Sequence, residues 1–167
     1  MSATPPQFAA VVRTFHQQFS STRRGARLAR LLAYEQLRTW SMPPDVIDRA
    51  EQIVAELAAN AALHGHVQGR DFRLDLTDDP VTGVLRIAVT DARGDRPPSL
   101  MRGSATPPHS ESGRGLLIVT ALADRWGTDP YAPGGKTVWG ELSHRSATAE
   151  PPHPRNPLTG VLRNGPE

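Results

Sequence analysis

The chain of 167 residues has no cysteine, which excludes a disulfide framework, a thiolate metal site and a cysteine nucleophile. Aromatic residues are scarce, at 5%, and 19 basic residues against 17 acidic ones leave a formal net charge of only +2. Nucleic-acid binders carry a basic face or stripe with interleaved aromatics, and the scattered charges here do not form one, so no nucleic-acid partner is expected. Lysine is nearly absent: Lys136 is the only one in an otherwise arginine-based set. No apolar run approaches the ~20 residues that span a bilayer. Met1–Gln7, with Pro5 and Pro6, lacks the apolar core of a signal peptide. A cytoplasmic protein without membrane contact is expected. What is present, 38% hydrophobic and 22% charged residues, fits one folded domain of this length.

Hydrophobic periodicity divides the chain into three parts. Residues 1–12 and 144–167 are rich in proline and poor in large apolar residues, and are expected to be flexible tails around a domain at 13–143. Within the domain, Phe15, Gln17 and Phe19 alternate as in a strand, and Ser20–Thr22 can cap a helix whose apolar face is Leu28, Leu31, Leu32 and Leu37. A second helix starts near Asp45 with Val46, Ala50, Ile53, Leu57 and Ala61 on one face, and should end at a left-handed Gly65. Phe72, Leu74 and Leu76 form a half-buried strand. Asp78, Asp79, Pro80 and Gly83 supply a turn, and Leu85, Ile87 and Val89 form a second strand ending at Asp91. Residues 94–112 lack periodicity, carry four prolines and read as a lid. Gly115–Trp126 reads as a helix, and Trp126–Pro130 and Thr137–Leu142 as strands around Pro133-Gly134-Gly135. The order predicts a two-layer α/β sandwich: a mixed, largely antiparallel sheet covered on one face by three helices.

Three constellations could carry chemistry. Glu56, Asn60 and His64 recur every four residues and form one row on the second helix. The row lies about 60° from its apolar stripe. A carboxylate there can take a proton from a hydroxyl, and an amide oxygen can ligate a hard cation; the same spacing also fits a solvated flank. Asp91-Ala92-Arg93-Gly94 closes an apolar strand, where a carboxylate can accept a hydrogen bond from an exocyclic amine or simply form a turn. Gly113-Arg114-Gly115-Leu116 precedes an apolar helix, whose free N–H groups can bind phosphate or simply mark a loop-to-helix junction. Two shorter matches fail. Gly113-Arg114-Gly115 lacks the third glycine of a dinucleotide fingerprint, since Ile118 occupies it, and Gly135-Lys136-Thr137 has Pro130 where a P-loop needs glycine. His64 and His66 have no convergent partner that would make a metal site of their own.

Taken in order, the three constellations resemble the motifs of the GHKL ATPase superfamily, with its Bergerat ATP-binding fold. They are most similar to anti-sigma-factor serine/threonine kinases and related actinobacterial ATP-binding regulatory proteins. Glu56…Asn60…His64 resembles the asparagine motif, Asp91–Gly94 the first glycine motif, Gly113–Leu116 the second, and Gly135–Trp139 the closing strand. The resemblance spans about Phe15–Leu142. It implies that Glu56 is a general base for transfer of the ATP γ-phosphate and that Asn60 ligates Mg²⁺. It implies further that Asp91, flanked by Arg93 and Gly94, binds the adenine amino group, that Gly113, Arg114, Gly115 and Leu116 close on the phosphates, and that Thr137 sits near the adenine end. Two positions depart from the superfamily: Arg93 and Asp95 stand where it has glycines.

The function so implied is an ATP-dependent protein kinase that binds a sigma factor and phosphorylates its antagonist. The resemblance also admits a homodimer. The alternative is a non-catalytic switch that binds a protein partner in response to ATP. A third reading, the catalytic domain of a sensor histidine kinase, lacks a phosphoacceptor helix in this chain.

Overall fold

The computed structural model describes residues 11–95 and 114–144. They form β1 (Arg13–Phe19), α1 (Arg23–Thr39), α2 (Pro44–Leu63), β2 (Phe72–Asp79), β3 (Val84–Asp91), α3 (Arg114–Leu122), β4 (Arg125–Tyr131) and β5 (Gly135–Ser143). The sheet runs β1-β2-β3-β5-β4. Every pairing in it is antiparallel: the helix-covered, largely antiparallel sheet is as expected, without a parallel pair to make it mixed. The crossover through α3 does leave β4 running parallel to β3, but β5 lies between them and pairs antiparallel with both. Phe72, Leu74, Leu76 and Asp78 of β2 are buried beneath the helices while the residues between them are half-exposed, the two-sided pattern of a sheet covered on one face. The predicted tails lie outside the described residues, except for Val11, Val12 and His144, and so does the predicted lid beyond Asp95.

α1 starts where the Thr22 hydroxyl accepts a hydrogen bond from the Gly25 N–H at 3.0 Å, a side-chain cap for an otherwise unpaired donor. Its buried face is Gly25, Ala29, Ala33 and Leu37. This corrects the expected leucine stripe: only Leu37 is buried, whereas Leu28, Leu31 and Leu32 are 44%, 50% and 43% exposed. Small residues every four positions let α1 lie close along α2, and the larger leucines are turned outward. α2 begins with Pro44 in its first turn and Asp45 beside it, both suited to a helix N-terminus. It buries Val46, Ala50, Ile53, Val54, Leu57, Ala58 and Ala61 against α1, α3 and the sheet. None of the described helices is long and apolar enough to cross a membrane.

Three further differences have identifiable structural causes. α3 stops at Leu122, not at Trp126, because Arg49 of α2 donates to the Leu122 carbonyl from Nε at 2.9 Å and the chain then turns. The next residue but one, Asp124, accepts the Ser143 backbone N–H at 2.6 Å and pairs with Arg49. The Ser143 N–H, with Arg49 in support, holds its carboxyl below the usual value. Asp78, expected in a turn, is fully buried within β2. It accepts from Arg13 Nε at 2.9 Å and Nη2 at 2.6 Å, and lies 2.6 Å from His144 Nε2. Gly83, at φ 68°, makes the turn that follows. Gly65 is not left-handed; its role is a close approach described below.

The reassigned face of α1 is testable by urea denaturation. Leu37→Ala should lower the unfolding free energy by about 2–5 kcal/mol, as for a buried leucine, while Leu31→Ala should stay within about 0.5 kcal/mol. Equal losses at both positions would restore the leucine stripe.

Candidate active site

The middle of α2 and the start of α3 bring the first and third constellations together. Glu56 and Asn60 are half-buried on α2, one turn apart. Gly115, the second residue of α3, packs directly on them: a Cβ there would stand 2.6 Å from Glu56 Oε2 and 3.6 Å from the side-chain oxygen and nitrogen of Asn60. Only glycine permits this approach without displacing the carboxylate. Leu116, 3% exposed, seats the helix start in the core, while Arg114 is exposed. Neither Glu56 nor Asn60 spends its side chain on a hydrogen bond with another described residue. Half-buried polar groups left unpaired at a helix N-terminus suit an anionic ligand and its counter-ion. His64, the last of the row, caps α2 and is exposed. Gly113 lies outside the described residues.

Asp91 closes the other end of the site. Its carboxylate is 5% exposed and sits against Gly65, just beyond α2. Oδ1 accepts the Arg93 backbone N–H at 2.8 Å. The Arg93–Asp95 turn is tied to the β4–β5 turn by the Gly94 N–H, which donates to the Gly134 carbonyl at 2.7 Å. A Cβ on Gly94 would meet the Gly135 carbonyl oxygen at 2.6 Å, so the glycine one place late in the motif is the one that contact needs. Arg93 and Asp95, which replace the family's glycines, face each other, Nε to Oδ1, at 3.4 Å. The two departures therefore compensate one another in charge.

The β5 residue that meets Asp91 is Lys136, not Thr137. The register pairs Asp91 with Lys136 and Thr90 with Thr137, and successive residues of a strand face opposite sides of the sheet. Thr137 lies on the helix-free face, 2.8 Å from the Thr90 hydroxyl. Lys136, 8% exposed, places Nζ 3.0 Å from Asp91 Oδ1 and 2.5 Å from the Arg93 carbonyl oxygen. Sequence reasoning passed over it, although the inward alternation of Val138, Gly140 and Leu142 puts residue 136 inward as well. A cavity of about 500 Å³ opens at this end of the sheet, lined by Gln18, Arg73, Thr90, Asp91, Tyr131 and Gly135 among others. Gln18, Arg73 and Thr90 share one register row on the helix-free face. That cavity borders Asp91 from behind and does not include Glu56 or Asn60.

Comparisons with known proteins bear on the family and the fold. The family described as the histidine kinase-like ATPase domain matches residues 19–140, a span that holds Glu56, Asn60, Asp91, Gly115 and Lys136. No curated protein matches the chain. Among solved structures, the RsbU and RsbW domains of Rv1364c from Mycobacterium tuberculosis are similar with a TM-score of 0.58 and 19% identity, over 78% of this chain and 32% of that one. The SiaB–SiaC complex from Pseudomonas aeruginosa is similar with a TM-score of 0.56 and 9% identity, over 77% of this chain and 88% of that one. At these identities the likeness bears on fold alone, and the chain spans under a third of the mycobacterial one. The family match, the antiparallel α/β sandwich and the meeting of α2 with the start of α3 converge: the chain belongs to the histidine kinase-like ATPase domain family, within the superfamily its three motifs resemble.

Proposed function

We propose that the chain binds ATP and transfers its γ-phosphate to a serine or threonine hydroxyl of a protein partner, as an anti-sigma-factor-like regulatory kinase. The observation that carries this reading is the contact of Gly115 with Glu56 and Asn60. It sets the start of α3 within one residue's reach of a carboxylate and an amide that have no hydrogen bond to another described residue. Phosphoryl transfer asks mainly for positioning and charge neutralisation, and these groups supply both. The N–H groups at the start of α3, with Arg114, hold the phosphates. Glu56 accepts the hydroxyl proton as the hydroxyl oxygen bonds to the γ-phosphorus. The bond to the β,γ-bridging oxygen breaks, and ADP leaves. Asp91 accepts the adenine amino group at the opposite end of the site.

Mg²⁺ fits these residues. No group of three or more acidic or histidine side chains among the described residues could cage a metal. Mg²⁺ commonly needs only one or two protein oxygens beside substrate phosphates, and the Asn60 amide oxygen can be one. When bound, it neutralises phosphate charge. A protein partner is supported by the solved complex of SiaB with SiaC and by the fold shared with a chain that carries an RsbW domain. A sigma factor and its antagonist are the partners this reading names.

Three measurements test it. Mg-ATP at a hundred times its dissociation constant should stabilise the fold by about 2.7 kcal/mol, and a melting curve unmoved by millimolar Mg-ATP would remove the ATP reading. Glu56→Gln should keep most ATP affinity and lose roughly 10²–10⁴-fold in transfer to the cognate partner, whereas Asn60→Ala should lose binding and rate together. Undiminished transfer by Glu56→Gln would remove Glu56 as base. ATP binding without transfer by the unmutated protein to any partner would favour the non-catalytic switch. Gly115→Ala should weaken Mg-ATP binding with little change in melting temperature without nucleotide, since the added methyl displaces Glu56 rather than the core.

A further inference from the structure

The ATP reading gives the adenine contact to Asp91 and leaves the chain's one lysine without a task. Lys136 is buried, and a buried ammonium persists only where acceptors surround it. Two of its three N–H groups are taken, by Asp91 Oδ1 at 3.0 Å and by the Arg93 carbonyl at 2.5 Å. Oδ1 also accepts the Arg93 backbone N–H at 2.8 Å. Asp91 Oδ2 receives no hydrogen bond from another described residue. It lies over Gly65, where a Cβ would stand 2.4 Å away. The two carboxylate oxygens are therefore not equivalent: one is anchored by two donors on the protein and the other is unspent.

We propose that Lys136 is a specificity-determining positioning residue that anchors Asp91 Oδ1, so that Oδ2 alone is presented to the purine, as a pure acceptor for a 6-amino group. This rests on the ATP reading above and deepens it. Its consequence is sharpest for an amide at position 91. The carbonyl oxygen of an Asn must take the Oδ1 place, because both neighbours there are donors, and its NH₂ must take the Oδ2 place. The group shown to the base then changes from acceptor to donor. The adenine amino group meets another donor, while the 6-oxo group of hypoxanthine gains a partner. With Lys136 also removed, only the Arg93 N–H opposes rotation of the amide, and the preference relaxes.

The test is calorimetric titration of Mg-ATP and Mg-ITP into the full chain. The unmutated protein should favour ATP by about tenfold or more, the worth of one hydrogen bond to a charged group. Asp91→Asn should favour ITP by about fivefold, and Asp91→Asn with Lys136→Met should bring the two within about twofold. Lys136→Met alone, which covers the case that the single amide variant does not fold, should cut the ATP preference at least about threefold and leave ITP affinity within about twofold. An Asp91→Asn variant that still prefers ATP overturns the proposal. So does a double variant as inverted as the single one, or a Lys136→Met variant that loses both nucleotides equally. If the unmutated protein binds ATP, these outcomes fall on Lys136 alone; if it binds neither nucleotide, the ATP reading fails and this role with it.

Discussion

The packing of α2 is the constraint on which the rest depends. This helix contacts α1, α3 and the central strands β2, β3 and β5, and alanines at 50, 58 and 61, each no more than 1% exposed, let its neighbours come close. Close packing has little tolerance for added volume, so the helix is fixed in rotation about its own axis. That rotation decides where Glu56 and Asn60 point. One flank of α2 thus faces the start of α3, while its end delivers Gly65 to the Asp91 carboxylate. The adenine end and the phosphate end of the proposed site are held at a set distance by a single rigid rod.

The first glycine motif shows how a departure from a family pattern can leave the geometry intact. In place of flexible glycines at 93 and 95 there is an Arg–Asp pair across the turn. The turn is further held by the Asp91–Arg93 hydrogen bond, the Gly94–Gly134 hydrogen bond and the Lys136 ammonium on the Arg93 carbonyl. Four local attachments replace conformational freedom with order. The chain therefore leaves β3 through a turn that is fixed as far as Asp95.

Much of this was readable in the sequence, and the misses have physical reasons. Glu56 and Asn60 could be placed because i, i+4 spacing on a strongly patterned helix leaves little choice of face. Asp91 could be placed because the apolar alternation of Leu85, Ile87 and Val89 ends on it. The buried face of α1 is hard to read because leucine count outweighs the Gly25–Ala29–Ala33–Leu37 register, and small residues give a weak hydrophobic signal even when they make the closest contacts. The end of α3 depends on Arg49, 73 residues away, a tertiary contact that no local pattern contains. Thr137 enters from the motif alone, whereas strand parity turns it to the helix-free face and Lys136 inward. Asp78 looked like turn chemistry because the partners that make its burial tolerable, Arg13 and His144, lie at opposite ends of the domain sequence.

Asp78 also governs how the domain can be connected to anything else. By holding Arg13 and His144 on one carboxylate, it gathers the first strand's start and the last strand's end at one corner of the sheet. The register places that corner at the end of β2 remote from Asp91, since Arg73, not Asp78, pairs beside Thr90. Chain entering before β1 and chain leaving after β5 share an attachment point on the side away from the proposed nucleotide. Tension applied between the two ends would load the Asp78 knot before it reached the tied turn at Arg93.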